Sequence, residues 1–139
     1  MAKRSMKNPR LHAERWLRQA EHDLTVAQGH LAGGYYSDCC FMSEQTTQKA
    51  LKALLFAKGE RVIPEHSIVS LMKRVMAYDS GFQPFLEAAG MLDQYYIPTR
   101  YPDALAEPAV PFESYTGEQA TRASAFAKDV LSLVQQRIG

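Results

Sequence analysis

The chain has 139 residues, of which 46% are hydrophobic and 22% charged, and its formal net charge is +1. This length suits one domain with its own core, and the composition is typical of a folded protein rather than a disordered or collagen-like one. The longest apolar runs are a few residues, far short of a membrane span, and the balanced charge does not favour binding to duplex DNA.

Residues 1–10 are predicted to form a basic N-terminal tail, and residues 11–139 a single helical domain. The tail contains Lys3, Arg4, Lys7 and Arg10, but no apolar stretch follows, so it does not have the pattern of a secretory signal. We therefore expect the protein in the cytoplasm. Charge is uneven: residues 1–74 contain 12 Lys and Arg against 7 Asp and Glu, whereas residues 75–139 contain 4 against 8. This asymmetry indicates either an anion-binding face or two halves that attract each other within a fold or a dimer.

Apolar residues recur at steps of three and four through most of the chain, which predicts five helices. The predicted helices cover residues 11–31, 36–58, about 67–78, 82–94 and 117–137. Gly33-Gly34 and Gly59 supply stops, Ser37 or Asp38 is available to cap the second helix, and His66 or Ser67 opens the third. No alternation long enough for a strand is present, so the sequence predicts an all-α, up-and-down bundle of four to five helices.

Few standard catalytic or metal-binding signatures are present. Cys39 and Cys40 are adjacent, so they cannot form a disulfide that closes a loop, and we expect half-buried thiols. No two of the four histidines are spaced i, i+4 as a helical metal site requires, and we expect solvent-facing histidines and no metal. Motifs for dinucleotide, P-loop or serine-hydrolase chemistry are also missing.

A polar stretch on the second helix has two interpretations. Glu44, Gln48 and Lys52 lie on one i, i+4 stripe, which a solvated helix face with weak charge pairs would explain. Alternatively, Gln45, Lys49 and Lys52 face a cleft. In that case, together with Arg100 and His66, they would suit a nucleotide phosphate or an RNA backbone.

The segment Tyr95–Asp103 interrupts the helical pattern with two prolines, three tyrosines and one arginine. The prolines stiffen the backbone, the tyrosines offer rigid amphipathic surface, and the Arg100 guanidinium suits phosphate or carboxylate. One interpretation is a stiff turn in which Arg100 pairs with Asp103, and the other is a ligand site.

The order of several short motifs resembles the HEPN domains (higher eukaryotes and prokaryotes nucleotide-binding), in the subgroup with a Tyr-x-x-x-Arg-Tyr-Pro-Asp loop. The similarity runs from about residue 11 to 137. It is carried by Trp16, Ala20-Glu21-x-Asp23-Leu24, Tyr36-x-x-x-Cys40-Phe41, Gln45-x-x-x-Lys49-Ala50-Leu51-Lys52, His66-Ser67 and Tyr96-Ile97-x-Thr99-Arg100-Tyr101-Pro102-Asp103.

The resemblance implies a helical bundle that forms a homodimer, with a cleft at or near the dimer interface. Many small prokaryotic members work with a minimal nucleotidyltransferase in a two-component, toxin–antitoxin type of system, and others bind nucleotides. The leading hypothesis is therefore a non-catalytic module that binds ATP or GTP, that partner, or both. The implied nucleotide-binding residues are Gln45, Lys49, Lys52, His66, Arg100 and Tyr101.

Other members of the family are metal-independent ribonucleases with an Arg-x(4–6)-His motif. Here the positions five to seven after Arg100 are Leu105, Ala106 and Glu107, and no histidine follows His66. The general acid or base of such an enzyme is therefore missing from its usual place. A ribonuclease toxin that uses Arg100 with His66 is one alternative, and a purely structural dimerisation module is the other.

The chain also departs from the family pattern beside Lys49. Where members of the family often have a glutamate just before the lysine, this sequence has Gln48. We expect this substitution to leave Lys49 less neutralised and more available to an anion.

Overall fold

The computed structural model describes residues 8–139 and contains five α-helices joined by turns. They are α1 (Pro9–Gly33), α2 (Tyr36–Ala57), α3 (Ile68–Tyr78), α4 (Leu86–Asp93) and α5 (Gly117–Ile138). Short 3-10 turns cover Ser80–Phe85, Pro102–Ala104 and Pro111–Glu113. The predicted all-α bundle is confirmed.

Helix α1 begins at Pro9, two residues earlier than predicted, because Asn8 caps it: the Asn8 side chain accepts hydrogen bonds from the backbone of Arg10 and Leu11. Residues 1–7 of the predicted tail lie outside the described residues. Gly34 ends the helix in the left-handed conformation, at φ 83°, as the Gly-Gly pair predicts.

The cap predicted for α2 is wrong. The helix starts at Tyr36, two residues earlier than a Ser37 cap requires and three earlier than an Asp38 cap requires, with Tyr35 at the cap position and no side-chain hydrogen bond there. Ser37 is instead buried within the first turn. Of the two residues predicted to open α3, His66 and Ser67, it is Ser67 that caps the helix: its hydroxyl accepts a hydrogen bond from the backbone amide of Ser70.

Helix α2 is the central element, and it packs against α1, α3 and α5. Its buried apolar residues join those of the other helices in one core, which includes Leu51, Leu55, Leu71, Phe82 and Val130. Small residues on α1 and α5, all of them fully buried alanines, allow these helices to approach α2 closely: Ala13, Ala20, Ala27, Ala120, Ala123 and Ala127.

Cys39 and Cys40 are fully buried rather than half-buried, since both face this core. Within residues 8–139, no helix is long and apolar enough to cross a membrane.

Candidate functional site

The predicted Arg100 loop is an exposed cluster of one cation and three aromatic rings. Arg100 Nε donates a hydrogen bond to the backbone carbonyl of Tyr96, at 2.9 Å. The guanidinium carbon lies 4.2 Å from the centre of the Phe41 ring, and 5.0 Å from those of Tyr96 and Tyr101. These are cation–π distances, so the guanidinium is held among the three rings.

Arg100 does not pair with Asp103, so that part of the stiff-turn interpretation is wrong. Among residues 8–139, the Arg100 guanidinium contacts no carboxylate, and its one hydrogen bond uses Nε. The loop is instead held by Thr99, which is buried and donates to the carbonyl of Tyr95 at 2.7 Å. The terminal nitrogens of Arg100 are therefore left as donors at the surface.

The polar stripe of α2 is buried, which contradicts the solvated-face interpretation. Glu44, Gln48 and Lys52 have relative exposures of 1%, 7% and 5%. The Glu44 carboxylate accepts hydrogen bonds from Gln45, at 2.7 Å, and from Gln48, at 2.9 Å. These two amide donors satisfy a carboxylate that would otherwise be costly to bury.

Burial raises the pKa of Glu44, and the two amide donors oppose this shift. The charges of Asp93 and Arg100 also act on Glu44, the first raising its pKa and the second lowering it. The positive charge of Arg100 is therefore close enough to favour the ionised form of the buried Glu44.

Lys52 is buried without a carboxylate in contact among residues 8–139. Its ammonium lies 3.3 Å from His66 Nδ1 and 5.6 Å from the centre of the Trp16 ring. Burial lowers the pKa of Lys52, while the more distant charges of Glu44 and Glu65 raise it. An ammonium can only donate, whereas the Gln48 oxygen that also faces Nδ1 can only accept, so the two contacts require opposite tautomers of the His66 ring.

Gln48 links this pair to Glu44. Its amide nitrogen donates to Glu44, and its oxygen lies 3.4 Å from His66 Nδ1. Gln45, Lys52 and His66 therefore belong to one polar network around the buried Glu44–Gln48 pair.

Lys49 points away from this network and toward α1. Its ammonium forms an ion pair with Asp23 at 2.6 Å, and Gln19 donates to the same carboxylate at 3.0 Å. Asp23 is buried, with 2% relative exposure. The expectation that Gln48 leaves Lys49 less neutralised is wrong, because the carboxylate comes from another helix.

Two further groups hold His66 in place. Arg74 pairs with Glu60 and Glu65 at 2.5 Å each, which braces the segment that precedes His66. Asp93, at the end of α4, accepts from the Ser67 hydroxyl at 2.8 Å and from the first backbone amides of α3. A carboxylate at a helix N-terminus is stabilised by the unpaired amides there, so α4 and α3 are joined beside the site.

Sequence reasoning missed Phe41, Glu44, Asp23 and Asp93 as parts of the site. The i, i+4 spacing of Glu44 and Gln48 was the one available signal for the buried pair. Contacts made by Asp23 and Asp93 join residues 24 to 26 positions apart, and no local pattern reveals such pairs. Among residues 8–139, no group of three or more His, Cys, Asp or Glu side chains is arranged to hold a metal ion.

The fold and the site define a class of small α-helical domain with a cationic, aromatic surface cluster beside a buried polar network. The family model described as the HEPN domain matches residues 13–137, and the chain belongs to this family. The resemblance seen in the sequence is confirmed at this level, whereas the loop subgroup stays a prediction.

Solved structures agree with this assignment. The chain is similar to the protein in the crystal structure of TT1696 from Thermus thermophilus, with 39% sequence identity and a TM-score of 0.82. The match covers 89% of this chain and 96% of that one. It is 38% identical to ST0689, an archaeal HEPN homologue, with a TM-score of 0.74 and coverage of 91% and 98%.

Two curated proteins are also similar. The chain is 29% identical over 136 residues to "Putative toxin MJ1304" of Methanocaldococcus jannaschii, covering 89% of this chain and 86% of that protein. It is 29% identical over 122 residues to human sacsin, where the match covers 86% of this chain but only 3% of sacsin.

Proposed function

We propose that this HEPN protein is a non-catalytic binding module that takes a nucleotide, ATP or GTP, at the Arg100 cluster. The observation that carries the proposal is the Arg100 guanidinium, which is fixed against three aromatic rings and has no carboxylate partner among residues 8–139. An oriented arginine with free terminal donors suits a phosphate, which it can bind with two parallel hydrogen bonds.

Two exposed tyrosine rings lie beside Arg100. Tyr101 is 51% exposed and Tyr96 38% exposed, so each offers ring surface to a base. We propose that the polar network around Glu44 adds further contacts to the ligand: Lys52 a positive charge, His66 a ring N–H and Gln45 an amide. Lys49 contributes less than predicted, because Asp23 already neutralises it.

We further propose that the protein acts beside a minimal nucleotidyltransferase, as part of a two-component, toxin–antitoxin type of system in the cytoplasm. The similarity to a protein named as a putative toxin supports this half of the proposal. Co-expression with a minimal nucleotidyltransferase, followed by co-purification, tests it. Failure of the two proteins to associate would contradict it.

Isothermal titration calorimetry with ATP, GTP and ADP tests the nucleotide half. We expect Arg100→Ala to weaken binding by at least about tenfold, which corresponds to about 1.4 kcal/mol. Lys128→Ala is the matched control, because it removes one exposed positive charge from α5. Equal or absent heat in the wild-type protein and in Arg100→Ala would refute nucleotide binding at this cluster.

A ribonuclease is the second candidate, and the exposed His66 with its oriented ring favours it. Incubation of the purified protein with tRNA and mRNA without metal tests this candidate. Cleavage that both Arg100→Ala and His66→Ala abolish would establish it in place of the non-catalytic module.

A further inference from the structure

Three side chains form a hydrogen-bonded line from the core of the protein to its surface: Glu44, Gln48 and His66, here called the Gln48 bridge. Glu44 and Gln48 are buried on α2, whereas the exposed His66 lies directly before the cap of α3. Within the described residues, both polar contacts of the His66 ring use Nδ1, which faces Gln48 and Lys52. Nε2 is therefore the ring nitrogen left for a ligand.

The buried end of the bridge fixes the orientation of the Gln48 amide. Gln45 donates to Oε1 of Glu44 at 2.7 Å, and Gln48 donates to Oε2 at 2.9 Å. A carboxylate only accepts, so an ionised Glu44 holds the Gln48 nitrogen against Oε2 and leaves the Gln48 oxygen 3.4 Å from Nδ1 of His66. Because that amide oxygen also only accepts, Nδ1 has to carry the ring proton in this arrangement.

A proton on Glu44 reverses each hydrogen bond of the bridge. The proton resides on Oε2, because Oε1 still accepts from Gln45. After a half-turn of the Gln48 amide, its oxygen accepts from the new hydroxyl and its nitrogen donates to Nδ1, so the ring proton moves to Nε2. Burial raises the pKa of Glu44; the two amide donors and Arg100 oppose this shift, and Asp93 adds to it.

Lys52 contacts the same ring nitrogen from the other side. Its ammonium lies 3.3 Å from Nδ1 and can only donate, which favours the ring proton on Nε2. Burial lowers the pKa of Lys52; Glu44 and Glu65 oppose this shift, and Lys49 adds to it. A neutral Lys52 amine can accept from an Nδ1–H group, so Lys52 is compatible with either orientation of Gln48.

We propose that Gln48 is a positioning residue that sets the tautomer of His66 according to the protonation state of Glu44. While Glu44 is ionised, the neutral ring carries its proton on Nδ1, and the exposed Nε2 accepts a hydrogen bond or a proton. When Glu44 is protonated, Nε2–H donates, as a phosphate oxygen requires. This deepens the proposed function, which assigns His66 to the ligand, but it concerns the free protein and would stand even if no nucleotide bound.

Nitrogen-15 NMR of histidine-labelled protein tests the proposal at about pH 9, where an ordinary imidazole is neutral. Protonated and unprotonated ring nitrogens resonate in separate ranges, so the spectrum identifies the tautomer. The wild-type protein should carry the proton on Nδ1, and so should Lys52→Met, in which Gln48 is the remaining contact of Nδ1. Glu44→Gln should move the proton to Nε2, because Gln45 holds the new amide oxygen and the new amide nitrogen then donates to Gln48.

A Gln48→Met background isolates the bridge. There, adding Glu44→Gln should leave the tautomer of His66 unchanged, because the connection between the two residues is cut. Glu87→Gln removes an exposed carboxylate from α4 and is the matched control, which should keep the wild-type tautomer. Circular dichroism of every variant verifies that it is folded.

Three results would overturn the proposal. They are a ring proton on Nε2 in the wild-type protein or in Lys52→Met, a ring proton that stays on Nδ1 in Glu44→Gln, and a tautomer that still responds to Glu44→Gln in the Gln48→Met background. If Glu44→Gln does not fold, Lys52→Met decides, since only the Gln48 oxygen then faces Nδ1.

Discussion

The buried ion pair between Asp23 and Lys49 gives the sharpest stability prediction. The Asp23 side chain is 4% exposed and that of Lys49 is 24% exposed, with 2.6 Å between the charged atoms. Asp23→Asn keeps the shape of the side chain but leaves the lysine ammonium without its counter-charge. Removing one partner of a fully buried pair costs about 3–5 kcal/mol. Since a quarter of Lys49 remains in water, we expect a loss of about 2–3 kcal/mol in the free energy of unfolding.

The measurement is urea unfolding at pH 7, followed by circular dichroism at 222 nm. Glu14→Gln is the control, because it breaks a pair with Arg10 at 3.3 Å in which both side chains are about half exposed or more. Exposed pairs contribute about 0–1 kcal/mol, so this control should lose about 0.5 kcal/mol or less. The double variant Asp23→Asn/Lys49→Met should recover part of the loss, since no unpaired charge is then buried. A loss for Asp23→Asn no larger than that of the control would refute the reasoning.

Three further predictions concern the site and the core. Arg100→Ala should change the free energy of unfolding by no more than about 1 kcal/mol, because its contacts are exposed; a loss of several kcal/mol in thermal melting would support the purely structural module. Because burial raises the pKa of Glu44, its protonated form favours the folded state. The resulting stability is present below the ordinary carboxyl range and is lost as pH rises through the raised pKa. The free energy of unfolding of Glu44→Gln, relative to that of the wild-type protein, should therefore increase as the pH is raised from acid to neutral. Parallel urea midpoints across that range would contradict this. Burial, and then the neighbouring Cys39, raise the pKa of Cys40 to about 12. The native protein should therefore react with a thiol reagent far more slowly than the urea-unfolded protein, and fast native labelling would contradict the buried placement.

The helices were predictable because the signals that define them are local. The apolar period of α5 and the stops at Gly34 and Gly59 are visible within a few residues of sequence. The short α4 was less well predicted. The segment before it, Ser80–Phe85, forms a 3-10 turn that contains Pro84, although the pattern favoured one helix from residue 82 to 94.

The site was predicted only in part, for a physical reason. An i, i+4 polar stripe has the same spacing on a solvated face as on a buried one, and only the neighbouring helices decide which it is. The Glu44 stripe is buried because the surrounding helices cover α2. Lys49 was predicted to be available to an anion, but it forms an ion pair with Asp23 on α1. The Arg100 cluster was foreseen as aromatic and cationic, but its contact with Phe41 joins residues 59 positions apart in the chain.

Trp16 is the only tryptophan in the sequence, and its position has a practical consequence. Trp16 lines a groove of about 570 Å³ along α1, together with Arg15 and Arg18, and the centre of its ring lies 5.6 Å from the Lys52 ammonium. Indole emission depends on the polarity and charge around the ring, so the fluorescence of the unlabelled wild-type protein arises from one known place. A shift in that spectrum on dilution or on titration would report occupation of the groove, or a change at Lys52, with no added dye.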